Sequence, residues 1–159
     1  MNKNTYIAWD TETDLIGLDN IAPDLICSTF YGLESKESEL LHWSPKDHHL
    51  KALRAILGDG QHVIGHNLAY DTLVAAVYEP TLLPLLWKAY KENRLHCTMI
   101  REMLLNLATL GSIDDTSAHG LDRQIGYSLA DLVYLYLGID ISAEKDDEDS
   151  VRLNYALVK

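Results

Sequence analysis

Two apolar runs, each passing directly into acidic residues, limit the architecture of this chain more than any other feature. Tyr6-Ile7-Ala8-Trp9 leads into Asp10-Thr11-Glu12, and His62-Val63-Ile64 leads into Gly65-His66-Asn67-Leu68-Ala69-Tyr70-Asp71. Short apolar runs of this kind read as buried strands. Asp10 and Glu12 then stand at the end of one strand, and Asp71 follows a second strand into a helix. A fold built on these runs delivers three carboxylates from two strand ends toward one place.

The remaining elements fall around that pair. Thr5–Asp10, Asp24–Leu33 and Ser38–Trp43 are expected as strands, the second rich in β-branched and aromatic residues (Ile26, Thr29, Phe30, Tyr31). Gly32-Leu33-Glu34-Ser35 is the expected turn into the third strand, and short turns between successive strands imply an antiparallel meander. A helix then opens at Ser44 as N-cap, with Pro45 in the first helical position and Asp47 completing a capping box. Leu50, Leu53, Ile56 and Leu57 form its apolar stripe, and Gly58 ends it. His62–His66 is a fourth strand feeding a helix over Ala69–Tyr78, and Thr81–Lys91 is helical with Leu82, Leu85, Leu86 and Tyr90 inward. Leu95-His96-Cys97 is a brief fifth strand before a helix over Thr98–Leu110, closed by Gly111. Ser112–Tyr127 is polar and aperiodic, hence a loop, and Ser128 with Asp131 caps a last helix, Leu129–Leu137, stopped at Gly138. A meander followed by alternating strands and helices predicts an α/β fold with a mixed sheet flanked by helices.

At 159 residues the chain is expected to be a single domain, burying about 70% of the surface it exposes unfolded. Its formal net charge of −11 argues against a protein that coats nucleic acid by charge alone, because phosphate affinity normally comes from Lys and Arg. It leaves room for one that meets nucleic acid through bound cations, which invert the local sign. Two cysteines, Cys27 and Cys97, without a CxxC pair, read as reduced thiols. The most apolar segment, Leu73–Trp87, is broken by Glu79, Pro80 and Pro84 and cannot span a membrane as one helix. With no apolar leader after Met1, the expected compartment is the cytoplasm.

Asp10 and Glu12, two residues apart on a strand, point to the same side. Oxygen ligands suit Mg²⁺ or Mn²⁺, and two such ions about 3.5–4 Å apart activate a water and stabilise a leaving oxygen at a phosphodiester. Taken alone, Asp10-Thr11-Glu12 is equally a capped strand end. Asp71 taken alone is equally a first-turn acid complementing the helix dipole, worth roughly 0.3–1 kcal/mol. The dipole reading does not account for the whole run from Gly65 to Asp71, where Gly65 permits close backbone approach and Asn67 offers an amide to a nucleotide or to the loop itself.

These two motifs carry a resemblance. Ile7-Ala8-Trp9-Asp10-Thr11-Glu12-Thr13 resembles the first motif of the DEDD-type (DnaQ-like) 3′–5′ exonucleases, and Gly65–Asp71 resembles their second, in the NxxxD form of proofreading domains of family A DNA polymerases. The order of elements is similar to the ribonuclease H-like fold over nearly the whole chain. Cys97-Thr98-Met99 resembles the family's short strand entering a helix, with Cys97 where Asp often stands, and Ser128-Leu129-Ala130-Asp131-Leu132 resembles a later helix. The resemblance implies that Asp10, Glu12 and Asp71 bind two Mg²⁺ or Mn²⁺ ions, and that Thr11, Thr13, His66, Asn67 and Tyr70 contact substrate. The implied partner is the 3′ end of single-stranded DNA, with a DNA polymerase domain as a further one, and the setting is DNA replication.

The third motif of that family is YxxxD or HxxxD. Tyr155-Ala156-Leu157-Val158-Lys159 has the spacing, with Tyr155 in the catalytic position and Lys159 in place of the fourth acid. Two readings stand: the acid is replaced, or the true motif belongs to a longer parent chain, the second being favoured because the site needs one more helix. The expected activity is therefore a 3′–5′ exodeoxyribonuclease, weak unless another acid substitutes. The alternative is a module that grips a 3′ end or a polymerase without cutting. Asp146-Asp147-Glu148-Asp149 reads as a solvated loop, and His119 is one residue short of HxxxD spacing to Asp122. Trp9, Trp43 and Trp87 read as core, the histidines show no zinc spacing, and Lys88, Lys91 and Arg94 read as a solvated helix face.

Overall fold

The computed structural model describes residues 5–14, 19–20, 22–42, 46–113 and 126–142. The expectations for Trp43, Ser44, Pro45, His119, Asp122, 146–149, Tyr155 and Lys159 lie outside the described residues. The chain divides into two compact units, one running to Cys97 and one beginning at Thr98.

The first unit is a five-stranded mixed sheet with helices. β1 (Tyr6–Thr13), β2 (Leu25–Gly32) and β3 (Ser38–His42) form the expected antiparallel meander. β4 (His62–Gly65) returns parallel to β1, and β5 (Leu95–Cys97) runs parallel to β4, giving the order β3-β2-β1-β4-β5. This is the α/β, ribonuclease H-like arrangement expected from the sequence. One boundary differs in a way that matters. β1 does not stop at Asp10 but continues to Thr13, because its ladder to β2 runs on through Glu12 opposite Cys27 before shifting register at Thr13. The two acids of the first motif therefore lie within the strand.

β4 pairs with β1 only at Tyr6, Ile7 and Ala8. Beyond Ala8, β4 turns away at Gly65 into the next helix, so the β4-side edge of β1 is open where the acids lie. The helices of this unit are α1 (Lys46–Gly58), α2 (Leu68–Tyr78) and, after a 3₁₀ turn at Pro80–Leu82, α3 (Leu83–Lys91). They pack with the sheet around Trp9, Phe30, Leu53, Leu57, Val63, Leu68, Leu82 and Leu86. Trp9 stacks on Phe30 with centroids 6.5 Å apart.

Three expectations need correction here. Trp87 is 60% and Tyr90 63% exposed, and they stack on each other at 5.5 Å instead of entering the core. The inward stripe of this segment is Leu82, Leu86 and Ala89, a spacing of four and three that rotates Trp87 and Tyr90 to the other side. Arg94, expected on a solvated face, is only 6% exposed; its guanidinium donates to the carboxylate of Glu92 and to the carbonyls of Leu57 and Gln61. It closes the end of α1 onto the start of β5.

The second unit contributes α4 (Thr98–Leu110) and α5 (Leu129–Leu137). Gly111 and Gly138 follow them with positive φ, 76° and 68°, the left-handed C-terminal stop that glycine adopts without a Cβ penalty. Ser128 caps α5 as expected, accepting from the Asp131 N–H at 3.2 Å while donating to its carboxylate at 2.6 Å. Among the described residues no helix is long and apolar enough to cross a membrane.

Candidate active site

The site grows from the place where β4 leaves β1. Gly65 ends β4 with its α-carbon so close to neighbouring chain that a Cβ would stand 2.7 Å from Leu68 Cδ1 and 3.0 Å from the Trp9 carbonyl oxygen. Only glycine lets the strand pass that tightly before turning outward. Asn67 makes the turn in the left-handed region, φ 55°, ψ 40°, which asparagine tolerates better than other L-residues with side chains. Its carbonyl accepts the Tyr70 N–H at 2.9 Å, so its backbone starts α2, while its side chain makes no capping hydrogen bond. The exposed Asn67 amide stands at the mouth of the turn.

One turn into α2, Asp71 points back at β1. Its Oδ1 accepts two hydrogen bonds from Thr11, one from the backbone N–H at 2.9 Å and one from the hydroxyl at 2.6 Å. The backbone bond is possible because the β4-side edge of β1 is open beyond Ala8. Asp71 thus takes the place a neighbouring strand would occupy. It is only 2% exposed, and burial pushes its carboxyl up to about 6, opposed by the Thr11 hydroxyl and reinforced by the charge of Asp10.

Thr11 separates Asp10 from Glu12, and alternation along the strand puts those two on the face opposite the buried Thr11 side chain. Asp10 is exposed and Glu12 half-buried. Both charges reach Cys27, the partner of Glu12 across the ladder: burial first, then Glu12 and Asp10, pushes that thiol up to about 11. The charge of Asp10 is therefore felt at both Asp71 and Cys27, and that of Glu12 at Cys27.

A third hydrogen bond fastens the same two elements. Thr13 Oγ1 lies 2.6 Å from the Tyr70 hydroxyl and 2.9 Å from the Asp14 carbonyl, to which it donates, so the tyrosine is the donor to the threonine. Thr11 to Asp71 and Thr13 to Tyr70 are successive same-face residues of β1 bonded to adjacent residues of α2. His66 is half-buried between Gly65 and Asn67. Of the residues singled out in the sequence, Thr11, Thr13, Tyr70 and Asp71 are bonded together at this junction and Asp10 is close enough for its charge to reach Asp71, whereas Glu12 lies on the opposite face of β1 and Asn67 starts α2. Tyr155 lies outside the described residues.

The donor set has the chemistry for a hard divalent cation, although among the described residues no three His, Cys, Asp or Glu side chains are drawn into one ready-made metal-holding group. Carboxylate oxygens are the ligands Mg²⁺ and Mn²⁺ take. A buried carboxyl held near 6 beside a second carboxylate is a group that a neighbouring cation would relieve. Of the three acids, the two whose charges reach each other are Asp10 and Asp71, and their oxygens are of the kind such an ion takes.

The family model described as 3′–5′ exonuclease, that of DNA polymerase A exonuclease domains, matches residues 1–151. The chain belongs to the 3′–5′ exonuclease family. No curated protein and no solved structure matches it significantly. The exonuclease match carries Asp10, Glu12 and Asp71, runs through both compact units and stops short of Tyr155. What a reading of the exonuclease motifs did not reveal is the pairing of Thr11 with Asp71, a bond that spans the sequence from one motif to the other and exists only because β4 stops early.

Proposed function

We propose that this exonuclease is divalent-metal-dependent and hydrolyses phosphodiesters at the 3′ ends of single-stranded DNA, in the manner of polymerase proofreading, with both compact units belonging to one exonuclease domain. The observation that carries the reading is the buried Asp71, pinned by two Thr11 hydrogen bonds beside Asp10 and left with a carboxyl held up to about 6. A soluble surface acid complementing a helix dipole has no reason to be buried and crowded by a second carboxylate.

Asp10, Glu12 and Asp71 are the residues that would hold Mg²⁺ or Mn²⁺. Bound there, two ions supply Lewis-acid activation of the attacking water and charge stabilisation at the leaving oxygen. The chain's own residues do the positioning. Thr11 keeps one oxygen of Asp71 occupied, fixing the rotation of the carboxylate and leaving the other for ligation. Tyr70 holds the far end of β1 through Thr13, so Glu12 and Asp71 keep their spacing as substrate enters. Asn67, its amide not spent on the helix cap, contacts the terminal nucleotide, with His66 beside it. At a net charge of −11, the domain meets a polyanion only where cations invert the field.

The test is digestion of a 3′-labelled single-stranded oligonucleotide with Mn²⁺, beside Asp10→Ala. Mononucleotide release in the wild type that vanishes in the variant supports the proposal. Metal-dependent binding of the 3′ end without cleavage would assign this chain the grip of an exonuclease but not its chemistry.

A further inference from the structure

The side of α2 turned away from Asp71 forms one wall of a groove that the carboxylate site does not use. Ala69, Thr72 and Leu73 line it from α2, Trp87 and Tyr90 from α3, and Leu95 from β5, around a volume of about 610 Å³. At 100° per residue, the α2 residues of the groove lie roughly 100° or more round the helix from Asp71. No charged side chain lines it. Trp87 and Tyr90 stand 60% and 63% exposed on its rim, stacked with centroids 5.5 Å and planes 17° apart. Lys91 Nζ lies 5.7 Å from the Trp87 ring centroid, and among the described residues it pairs with no carboxylate. Lys88 is 4.0 Å from Glu92, whose carboxylate Arg94 already holds at 2.9 Å. In a chain of net charge −11, α3 thus carries two cations and no acid.

We propose that Trp87, Tyr90 and Lys91 form an accessory binding surface for the single strand whose 3′ end enters the carboxylate site. The proposal rests on the reading of that site as an exonuclease of single-stranded DNA. The rings stack on bases, and the ammonium meets a phosphate beside them. Stacking on an aromatic face accepts every base, so the grip is independent of sequence, as an enzyme that removes any terminal nucleotide requires. Lys91 supplies positive charge where the rest of the chain repels a polyanion. The groove reaches Ala69 and Thr72, the chain neighbours of Tyr70 and Asp71, so both sites border the first turns of α2. A helix about 10–12 Å across separates them. The rings therefore engage nucleotides upstream of the terminal one. The observation that favours a nucleic acid over a protein is the pairing of flat, exposed rings with a cation that no carboxylate holds. A base and its phosphate match both, whereas an apolar helix of a partner protein matches only the groove.

The experiment is fluorescence anisotropy of a labelled oligothymidylate of about ten nucleotides, in EDTA at low salt, with the full chain. Wild type is compared with Trp87→Ala, Trp87→Phe, Tyr90→Ala, Lys91→Gln and a Lys51→Gln control on α1. Trp87→Ala and Tyr90→Ala should each weaken binding at least about fivefold, Trp87→Phe should keep most of it, and the control should bind as wild type. Lys91→Gln should lower the slope of log affinity against log salt by about 0.7. Should an alanine variant fail to fold, that slope decides. The assay needs no cleavage, so the two readings fail separately. A chain that binds through these rings yet digests no DNA counts against the exonuclease chemistry and supports the surface. A chain that digests DNA while both alanine variants bind as wild type overturns the surface alone. No binding by the wild type overturns it as well. Variants that keep DNA affinity but change the sedimentation of the protein assign the face to a second copy, which also overturns the proposal.

Discussion

Replacing Asp71 with asparagine should stabilise the metal-free protein at pH 8 and leave it almost unchanged at pH 4. The asparagine side-chain oxygen accepts the same two bonds from the Thr11 N–H and hydroxyl that the carboxylate accepts now. What the substitution removes is a charge. The Asp71 carboxyl is pushed from an ordinary 3.8 up to about 6 by burial and by Asp10. The native state therefore binds this proton more tightly than the unfolded chain does, and stability falls as pH rises. The contribution is fully present below about pH 4 and is lost as pH climbs through about 6. At 1.36 kcal/mol per unit, ionising Asp71 costs the native state about 3 kcal/mol. Asparagine avoids that cost, and a chain of this size gains roughly 2–4 °C in Tm per kcal/mol. The assay is urea unfolding in EDTA, followed by tryptophan fluorescence at several pH values, with wild type and Asp71→Asn compared at each. A stability difference that stays constant from pH 4 to pH 8, or a variant less stable than wild type at pH 8, would refute the reasoning.

The carboxylates should also report on metal. Mn²⁺ should raise the Tm of wild type, whereas Asp10→Ala should raise Tm in EDTA and abolish the Mn²⁺ effect, as read by differential scanning fluorimetry. Thr11→Val keeps the backbone bond to Asp71 and deletes the hydroxyl one, which holds the Asp71 carboxyl down. The pH midpoint of Mn²⁺ binding should therefore move upward, and an unchanged midpoint would mean that Thr11 does not tune the acid. Gly65→Ala places a Cβ against Leu68 and the Trp9 carbonyl, and it should cost about 1–3 kcal/mol by urea unfolding. Tyr70→Phe loses only the bond to Thr13, about 0.5–1.5 kcal/mol, yet it should lower exonuclease activity more than that stability loss explains.

Much of the fold was legible because its signals are local. The β-branched and aromatic run around Phe30, the cap at Ser128 and the glycines at 111 and 138 each act within a few residues, and each appears where expected. The limits of that reading are physical too. β1 was expected to end at Asp10 because polar residues follow, but backbone pairing with β2 is indifferent to that polarity and carries the strand to Thr13. The apolar pattern alone places Trp87 in the core and Tyr90 inward. The rotation of α3 is set instead by where Leu82, Leu86 and Ala89 meet the sheet. Arg94 looked like a surface cation, and nothing near it in the chain signals the Leu57 and Gln61 carbonyls it satisfies.

By itself, the sequence determined which residue types are available and the local rules they obey: three acids in two motifs, a glycine where the chain must pass closely, and an asparagine able to turn in the left-handed region. Those properties are covalent and short-range. The tertiary structure decided that β4 leaves β1 after Ala8, so that the Thr11 N–H faces Asp71 instead of another strand. It also decided that Asp71 is buried beside Asp10, and that His62 and His96 touch. Burial, pKa and long-range hydrogen bonding depend on what packs from distant parts of the chain, and no window of neighbouring residues contains that information.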